Sequence, residues 1–211
     1  MRLSTSAAHR WAAIPLVTGL VITLGAATST GAIAQRADST PALDSVRASL
    51  AKYQNPLQAV RDGYFSTVGC ITFPEGEHMG DGFMHYRPGA MGVHFLNPGL
   101  ITAKPDPAKP NVLLYEPDGD KLRLVGAEWF VPLATGVKER PMLFGQAFDG
   151  PMEGHEPIMP AGTTHYDLHV WLFKNNPYGM FVATNPDVKC GKYAYTHAEH
   201  STKLVKTAET P

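Results

Sequence analysis

The twenty residues from Val112 to Val131, VLLYEPDGDKLRLVGAEWFV, decide the fold of this 211-residue chain. Two apolar runs flank Pro117-Asp118-Gly119-Asp120, and Asp-Gly between apolar runs is the strongest short signal for a β-hairpin. We therefore predict strands over residues 111–116 and 121–131, joined by a tight turn.

The chain on both sides of this hairpin also has the pattern of short strands. Residues 35–211 contain 17 Gly and 17 Pro, a density that divides a chain into strands separated by turns and loops. Further strands are predicted over 64–72, 82–86, 92–97, 165–173 and 179–184, and loops over 98–110 and 132–164. The second loop is long for a compact domain, and such loops are often functional.

One helix is predicted before the strands. Thr40-Pro41 is a typical helix start, because a hydroxyl caps the first turn and proline fits the first helical position. Gly63 ends the helix, and Asn55-Pro56 kinks it. An apolar stripe follows its length at spacings of three and four: Leu43, Val46, Leu50, Tyr53, Leu57 and Val60. The predicted fold is α+β, a mainly antiparallel β-sheet or half-open barrel with this kinked N-terminal helix packed on it.

Residues 1–34 have the three parts of a cleavable export signal. Arg2 and Arg10 lie in a start without acids, an apolar stretch runs from Trp11 to Ala27, and Ala32-Ile33-Ala34 precedes Gln35. The strongly apolar part is shorter than the roughly 20 residues of a membrane span. We predict a secreted or periplasmic protein with one domain over residues 35–211, flexible at 35–40 and at about 195–211, and no membrane attachment after cleavage.

The charge of the exported domain excludes some partners. The signal holds two of the 18 basic residues and none of the 19 acids, which leaves a net charge of −3. Basic residues are scattered, so we expect no nucleic-acid partner. Gly76, Gly80 and Gly82 do not open a helix after a strand, so no nucleotide cofactor is expected, and no G-x-S-x-G nucleophile motif occurs.

Cys70 and Cys190 are the only cysteines. An even number of cysteines in an exported protein favours a disulfide. The alternative is a pair of reduced, buried thiols.

Strand alternation identifies Glu128 as an unusual acid. On the predicted strand 121–131, it shares an apolar face with Leu124 and Phe130, whereas the opposite face carries Lys121 and Arg123. A buried carboxylate costs several kcal/mol unless it is paired, protonated or bound to a cation.

Two other strands carry histidines that can join Glu128. His94 shares a face with Gly92 and Leu96, and His169 lies in the middle of the strand 165–173. Two imidazoles and a carboxylate from adjacent strands are a known set for a divalent metal such as Zn, Fe, Mn or Cu. The alternative is a polar core cluster of His and Glu that needs no metal.

Further residues are predicted around this set. His165, Asp167 and Met91 are possible additional ligands, although His165 lies about 13 Å from His169 along an ideal strand. Three aromatic residues are expected to wall a small-molecule cavity beside the metal: Tyr115, Phe130 and Trp171. Whether the protein is an enzyme, and its oligomeric state, stay open.

A second set of residues favours copper. Methionine and histidine lie close together in the sequence at His78-Met79, Met84-His85 and Met91 with His94, and again at Met152, His155 and Met159. Thioether with imidazole is a ligand set that suits copper, but methionine also fills irregular cores. A periplasmic binding protein for copper or a small ligand is therefore an alternative, and a structural or interaction domain is another. His197, Glu199 and His200 are predicted to be surface residues of a polar tail.

Several sequence blocks are similar to a family of secreted bacterial proteins of unknown function. They are Gly89-Ala90-Met91-Gly92-Val93-His94, Leu113-Leu114-Tyr115-Glu116, Val125-Gly126-Ala127-Glu128, Leu168-His169-Val170-Trp171, Asn176-Pro177-Tyr178-Gly179-Met180-Phe181 and Asn185-Pro186 before Cys190. The resemblance covers residues 42–190 and implies export and a shared domain, but no activity. It places His94, Glu128 and His169 inside the blocks and leaves His78 and His85 outside them.

Overall fold

The computed structural model describes residues 41–76, 80–155 and 159–207. The predicted signal peptide over 1–34 and the segment 35–40 lie outside the described residues, as do His78 and Met79. Within the described part, no helix has both the length and the apolar character of a membrane span.

The predicted N-terminal helix is present but is divided into three pieces. They are α1 (Pro41–Leu50), a 3-10 helix (Ala51–Gln54) and α2 (Pro56–Arg61). Asn55 has an extended backbone, and its side chain accepts a hydrogen bond from the Leu57 N–H at 3.1 Å, so it ends one segment and caps the next.

This break changes the direction of the apolar stripe. The stripe is buried from Leu43 to Tyr53, but Leu57 and Val60 are 64% and 52% exposed, and Ala59 is the buried residue of α2. The prediction of one continuous stripe to Val60 is therefore wrong, because the extended Asn55 resets the helical phase.

In the described part of the chain, nine strands follow the helices. They are β1 (Phe65–Phe73), β2 (Gly89–Leu96), β3 (Val112–Asp118), β4 (Lys121–Pro132), β5 (Met142–Leu143), β6 (Gln146–Ala147), β7 (Asp149–Met152), β8 (His165–Val170) and β9 (Thr196–Ala198). Seven form one sheet in the order β7-β8-β4-β3-β2-β1-β9, and β5 pairs with β6 separately. The sheet curls into a half-barrel. Among the described strands, only β1 and β9 pair in parallel. A mainly antiparallel sheet preceded by helices confirms the predicted α+β fold.

The hairpin of β3 and β4 forms as predicted, but it contains a bulge. Leu114 pairs with Gly126 while the next residue, Tyr115, pairs with Leu124. Val125 is thus an extra residue, and Leu124 lies on the opposite face from Gly126 and Glu128. The predicted shared face of Leu124 and Glu128 is wrong for this reason.

Both faces of β4 are buried beyond the bulge. On one face, the Tyr115 hydroxyl donates to the Tyr53 carbonyl at 2.8 Å, which ties the sheet to the helical segment. The face opposite Glu128, expected to be partly exposed to solvent, instead buries Val125, Ala127 and Trp129 in the main core.

Two predicted strands are absent from the described structure. Residues 82–86 form isolated bridges rather than a strand, one of them between Phe83 and Lys203, and Gly80 and Gly82 beside them adopt left-handed φ angles of 92° and 88°. Residues 179–184 form turns that touch the sheet at isolated points, such as the Trp171 N–H bonding the Met180 carbonyl at 3.0 Å.

The loop 132–164 and the C-terminal segment are more ordered than their sequences indicate. The loop contains β5, β6 and β7, and β7 pairs with β8. Residues 196–198, which the sequence assigns to a flexible tail, form β9 beside β1. Glu199 is buried rather than on the surface, His197 is half-buried and His200 is exposed. These strands have two to four residues, too few to show an alternating pattern.

Cys70 and Cys190 form the predicted disulfide, with their Cα atoms 5.6 Å apart and a sequence separation of 120. Cys70 belongs to β1, and Cys190 lies in the segment that leads to β9. The bridge therefore holds the C-terminal segment against the edge of the sheet where β9 pairs.

Candidate metal centre

The curl of the sheet brings together three side chains from three strands. Glu128 on β4 and His169 on β8 are directly opposite each other in the register. His94 lies on β2, which is separated from β4 by β3. In a flat sheet, two strand spacings of about 4.8 Å would keep His94 away from Glu128. The sequence led us to expect three adjacent strands. β2 and β4 are instead separated by β3, and the curvature of the sheet closes this gap.

Two glycines permit the close backbone approaches near this group. At Gly126, a Cβ atom would lie 2.7 Å from the Val170 carbonyl oxygen. At Gly92, where φ is +85°, it would lie 2.5 Å from the Tyr115 carbonyl oxygen. A side chain at Gly126 would force apart β4 and β8, which carry Glu128 and His169, and one at Gly92 would force β2, which carries His94, away from β3.

His94, Glu128 and His169 have the geometry of a metal-ligand set. One ligand atom from each can be chosen so that all three lie within 4.8 Å of one another. The Glu128 Oε2 atom is 3.4 Å from His94 Nε2 and 3.5 Å from His169 Nε2. Ligands about 2.0–2.1 Å from a tetrahedral ion are about 3.3 Å apart. Both distances are close to this value and longer than usual N–H···O hydrogen bonds.

Several buried polar atoms of this group lack a hydrogen-bond partner within the described structure. His94, Glu128 and His169 are only 9%, 5% and 2% exposed. Among the described residues, Glu128 Oε2, His94 Nδ1 and both ring nitrogens of His169 have no hydrogen-bond partner. Buried polar atoms are almost always hydrogen-bonded, so an unpartnered set indicates a missing ligand, water or ion.

Burial and mutual charge give the three groups different pKa values. Burial lowers the pKa of His94 to about 3, which keeps it neutral at pH 7. Burial raises the pKa of Glu128 to about 7, although the charge of His169 opposes this rise. For His169, burial would lower the pKa, but the carboxylates of Glu128 and Asp167 outweigh it and raise the pKa to about 9. Without a metal, a proton on His169 therefore supplies the positive charge.

Asp167 stands behind His169 and connects it to His165. Asp167 Oδ1 is 3.5 Å from His169 Nδ1, and Asp167 Oδ2 is 3.5 Å from His165 Nε2. The Nδ1 atom of His165 in turn lies 3.0 Å from the Thr163 carbonyl oxygen. Burial would raise the pKa of Asp167, but these two imidazoles lower it below its usual range. A carboxylate behind a histidine orients that ring toward a metal.

The three residues predicted as additional ligands do not belong to the group of His94, Glu128 and His169. His165 and Asp167 belong to the layer behind the three-residue group and do not join it. Met91 is the extra residue of a bulge in β2, between the pairs of Ile71 with Gly92 and Thr72 with Ala90. Its side chain packs in a second core cluster with Phe73, Tyr86 and others.

A cavity of about 360 Å³ opens beside the group. His94 and Glu128 lie in its wall. The other lining residues are mostly apolar and come from four strands and two loops: Thr67, Leu96, Ile101, Val112, Phe130, Pro132, Met159, Pro160 and Thr163. The apolar residues fit a ligand pocket, since such pockets combine apolar walls with a few polar groups.

Of the three predicted wall residues, Phe130 lines this cavity. Tyr115 faces the helical segment instead, because β3 alternates and Leu114 takes the face toward His94. Trp171 follows β8, and its indole N–H donates to the Val182 carbonyl at 2.7 Å. Leu96 had a sequence signal, because it shares a strand face with His94, whereas Val112 on β3 lies opposite Glu128 through a register that only the structure shows. Ile101, Met159 and Pro160 come from loops and had no sequence signal.

The Met/His residues do not gather at one described centre. Met152 is fully buried, and its sulfur accepts a hydrogen bond from the Tyr86 hydroxyl at 3.6 Å. The His155 ring instead packs 5.7 Å from the His165 ring. Burial lowers the pKa of His155 to about 4. Only the set of His94, Glu128 and His169 is grouped as a metal-type cluster among the described residues.

Comparison of the chain with protein-family models, with curated proteins and with solved structures gave no match. The site must therefore be interpreted from its own geometry.

Proposed function

We propose that this protein is an exported domain that binds one divalent transition metal through His94, Glu128 and His169. The observation that carries the proposal is the spacing of the Glu128 carboxylate, 3.4 and 3.5 Å from two imidazole nitrogens in a buried site. Two imidazoles and one carboxylate suit Zn, Fe, Mn or Cu and leave coordination positions open.

The surrounding charges support a cation at this position. Among the described residues, neither Glu128 nor Asp167 forms an ion pair with lysine or arginine; their charged partners are imidazoles. A metal would take the place of the proton on His169 and satisfy the unpartnered oxygen of Glu128. When bound, it would supply a Lewis acid next to the cavity.

Export is part of the proposal and rests on the sequence of residues 1–34. The disulfide supports it, because such bonds persist in oxidising compartments. An exported protein obtains its metal outside the cytosol, so the protein should be loaded with candidate metals after purification rather than assayed only as isolated.

The decisive experiment is metal analysis of protein that carries no histidine tag. We expect about one equivalent of a single divalent metal after loading and dialysis. His94→Gln and His169→Gln should each lose it, while the exposed His85→Gln control should retain it. Circular dichroism of each variant separates metal loss from unfolding. Less than about 0.2 equivalents in the folded wild type, for every metal tried, would exclude the site.

The same experiment distinguishes the two alternatives. Copper lost on Met152→Ala but retained on His94→Gln would favour a copper-binding protein that uses the Met/His residues. No metal binding, combined with strong destabilisation by Glu128→Ala, would favour a structural domain whose His–Glu cluster is part of the core.

A further inference from the structure

We infer that the cavity beside the metal group binds a small molecule that has one metal-coordinating oxygen head group and an apolar body without a second charge. This inference rests on the proposed metal site and adds the class of ligand. It follows from where polar and apolar groups lie in one cavity.

The ionisable groups of the cavity lie together at one place, since His94 Nε2 is 3.4 Å from Glu128 Oε2. His94 and Glu128 are the only ionisable side chains among its described lining residues. The Thr67 hydroxyl is already used, because it donates to the His94 carbonyl at 3.1 Å. A charged head group can therefore be paired only at the metal end, and the Thr163 hydroxyl is the remaining polar side chain of the described lining.

The rest of the cavity wall is mostly apolar and therefore favours a hydrocarbon body in the ligand. Leu96, Val112 and Phe130 extend from the strands, and Ile101 and Met159 cover them from two loops. Methionine adapts its shape to different apolar groups. Burying apolar surface stabilises a complex in proportion to the area removed from water.

The absence of cations from the described lining restricts the charge of the ligand. No lysine or arginine lies among these lining residues, so a phosphate or a second carboxylate would be buried without a partner. Burying an unpaired charge is strongly unfavourable. The volume of about 360 Å³ is near the lower end of ligand pockets, which fits a small molecule rather than a polymer.

The test uses straight-chain hydroxamic acids as probes, from two to eight carbons, titrated into Co(II)- or Zn(II)-loaded protein by calorimetry. Affinity should rise about fourfold per methylene up to about six carbons, the increment expected for burying each methylene. Succinic acid monohydroxamate, which adds a second charge, should bind at least about tenfold more weakly than the uncharged-tail probe of similar length.

Two neighbouring residues provide matched variants. Ile101 lines this cavity, whereas Leu100 lines a separate one beside the helical segment. Ile101→Trp should abolish the dependence on chain length and leave metal affinity unchanged, and Leu100→Trp should preserve both. If Ile101→Trp does not fold, Ile101→Ala should weaken the six-carbon probe severalfold without affecting the metal.

The outcomes separate this inference from the proposed function. If metal binds but probe affinity is independent of chain length, the inference is wrong and the metal site stands. If the same chain-length dependence appears without metal, the assignment of the head group to the metal is wrong. If no metal binds, the proposed function fails, and the inference fails with it.

Discussion

Metal binding should release protons from the site, and the number can be worked out from the pKa values. His169, with a pKa of about 9, is protonated at pH 7, while Glu128, with a pKa of about 7, is half protonated. Both must lose their protons to become ligands. His94, with a pKa of about 3, contributes none. Binding of Zn(II) at pH 7 should therefore release about 1.5 protons, and at least one, since the pair titrates as a unit.

The same values fix the direction and size of the pH dependence. Raising the pH from 6 to 8 lowers the proton concentration that competes with the metal for His169 and so increases the apparent affinity about 100-fold, and deprotonation of Glu128 adds about tenfold. Affinity must rise with pH, because both groups bind the metal only after losing a proton and their pKa values of about 9 and about 7 lie above pH 6. The expected total is about two to three orders of magnitude.

Calorimetry can measure both quantities. Zn(II) is titrated at pH 7 in two buffers of different ionisation enthalpy, and the difference in observed heat gives the proton count. Titrations at pH 6 and 8 give the affinity ratio, and the exposed His85→Gln variant should match the wild type in both. A release below about 0.3 protons, or an affinity that changes less than about tenfold, would refute the assignment of the proton to His169.

Three further predictions concern the support of the site and the fold. Asp167→Asn should weaken metal binding about 10- to 100-fold in a metal titration, while Asp118→Asn in the hairpin turn should not; equal effects would contradict the role of Asp167. Replacing Cys70 and Cys190 together by alanine should lower the free energy of unfolding by about 5 kcal/mol, since the bridge spans 120 residues, as measured in guanidinium chloride; a loss below about 1 kcal/mol would speak against this. Asn111→Ala should cost about 2–4 kcal/mol in thermal or urea unfolding, because the side chain of Asn111 bonds both the N–H and the carbonyl of Phe130 at 2.8 and 2.7 Å; an effect below about 0.5 kcal/mol would show that water replaces these bonds.

Local patterns in the sequence predicted a large part of the fold. The hairpin formed because Gly119-Asp120 supplies a two-residue turn after Asp118, which pairs with Lys121, between two apolar runs. The disulfide was predicted from an even cysteine count in an exported chain. The resemblance to a secreted bacterial family stays a prediction.

The candidate site was predicted for a similar reason. Strand alternation places Glu128 on an apolar strand face, and His169 lies in the middle of a predicted strand. Polar residues at such positions can be recognised from the sequence alone. Their direct pairing across β4 and β8 followed only from the sheet order. Asp167 was recognised as a possible ligand, whereas the structure gives it the place behind His169.

Some features had no local signal at all. The bulge at Val125 places Leu124 on the opposite face of β4. Side chains alternate between the two faces of a strand, so one extra residue exchanges the faces of all residues before it. The strand β9 and the loop residue Met159 take their places through contacts with distant parts of the chain.

The sequence by itself therefore determined which side chains are chemically able to bind a metal, since that depends on residue type and strand alternation. Only the tertiary structure decided that His94 reaches Glu128 across β3, and that the group borders an apolar cavity. The physical reason is that strand order and sheet curvature arise from hydrogen bonds and packing between residues far apart in the sequence, which no local pattern records.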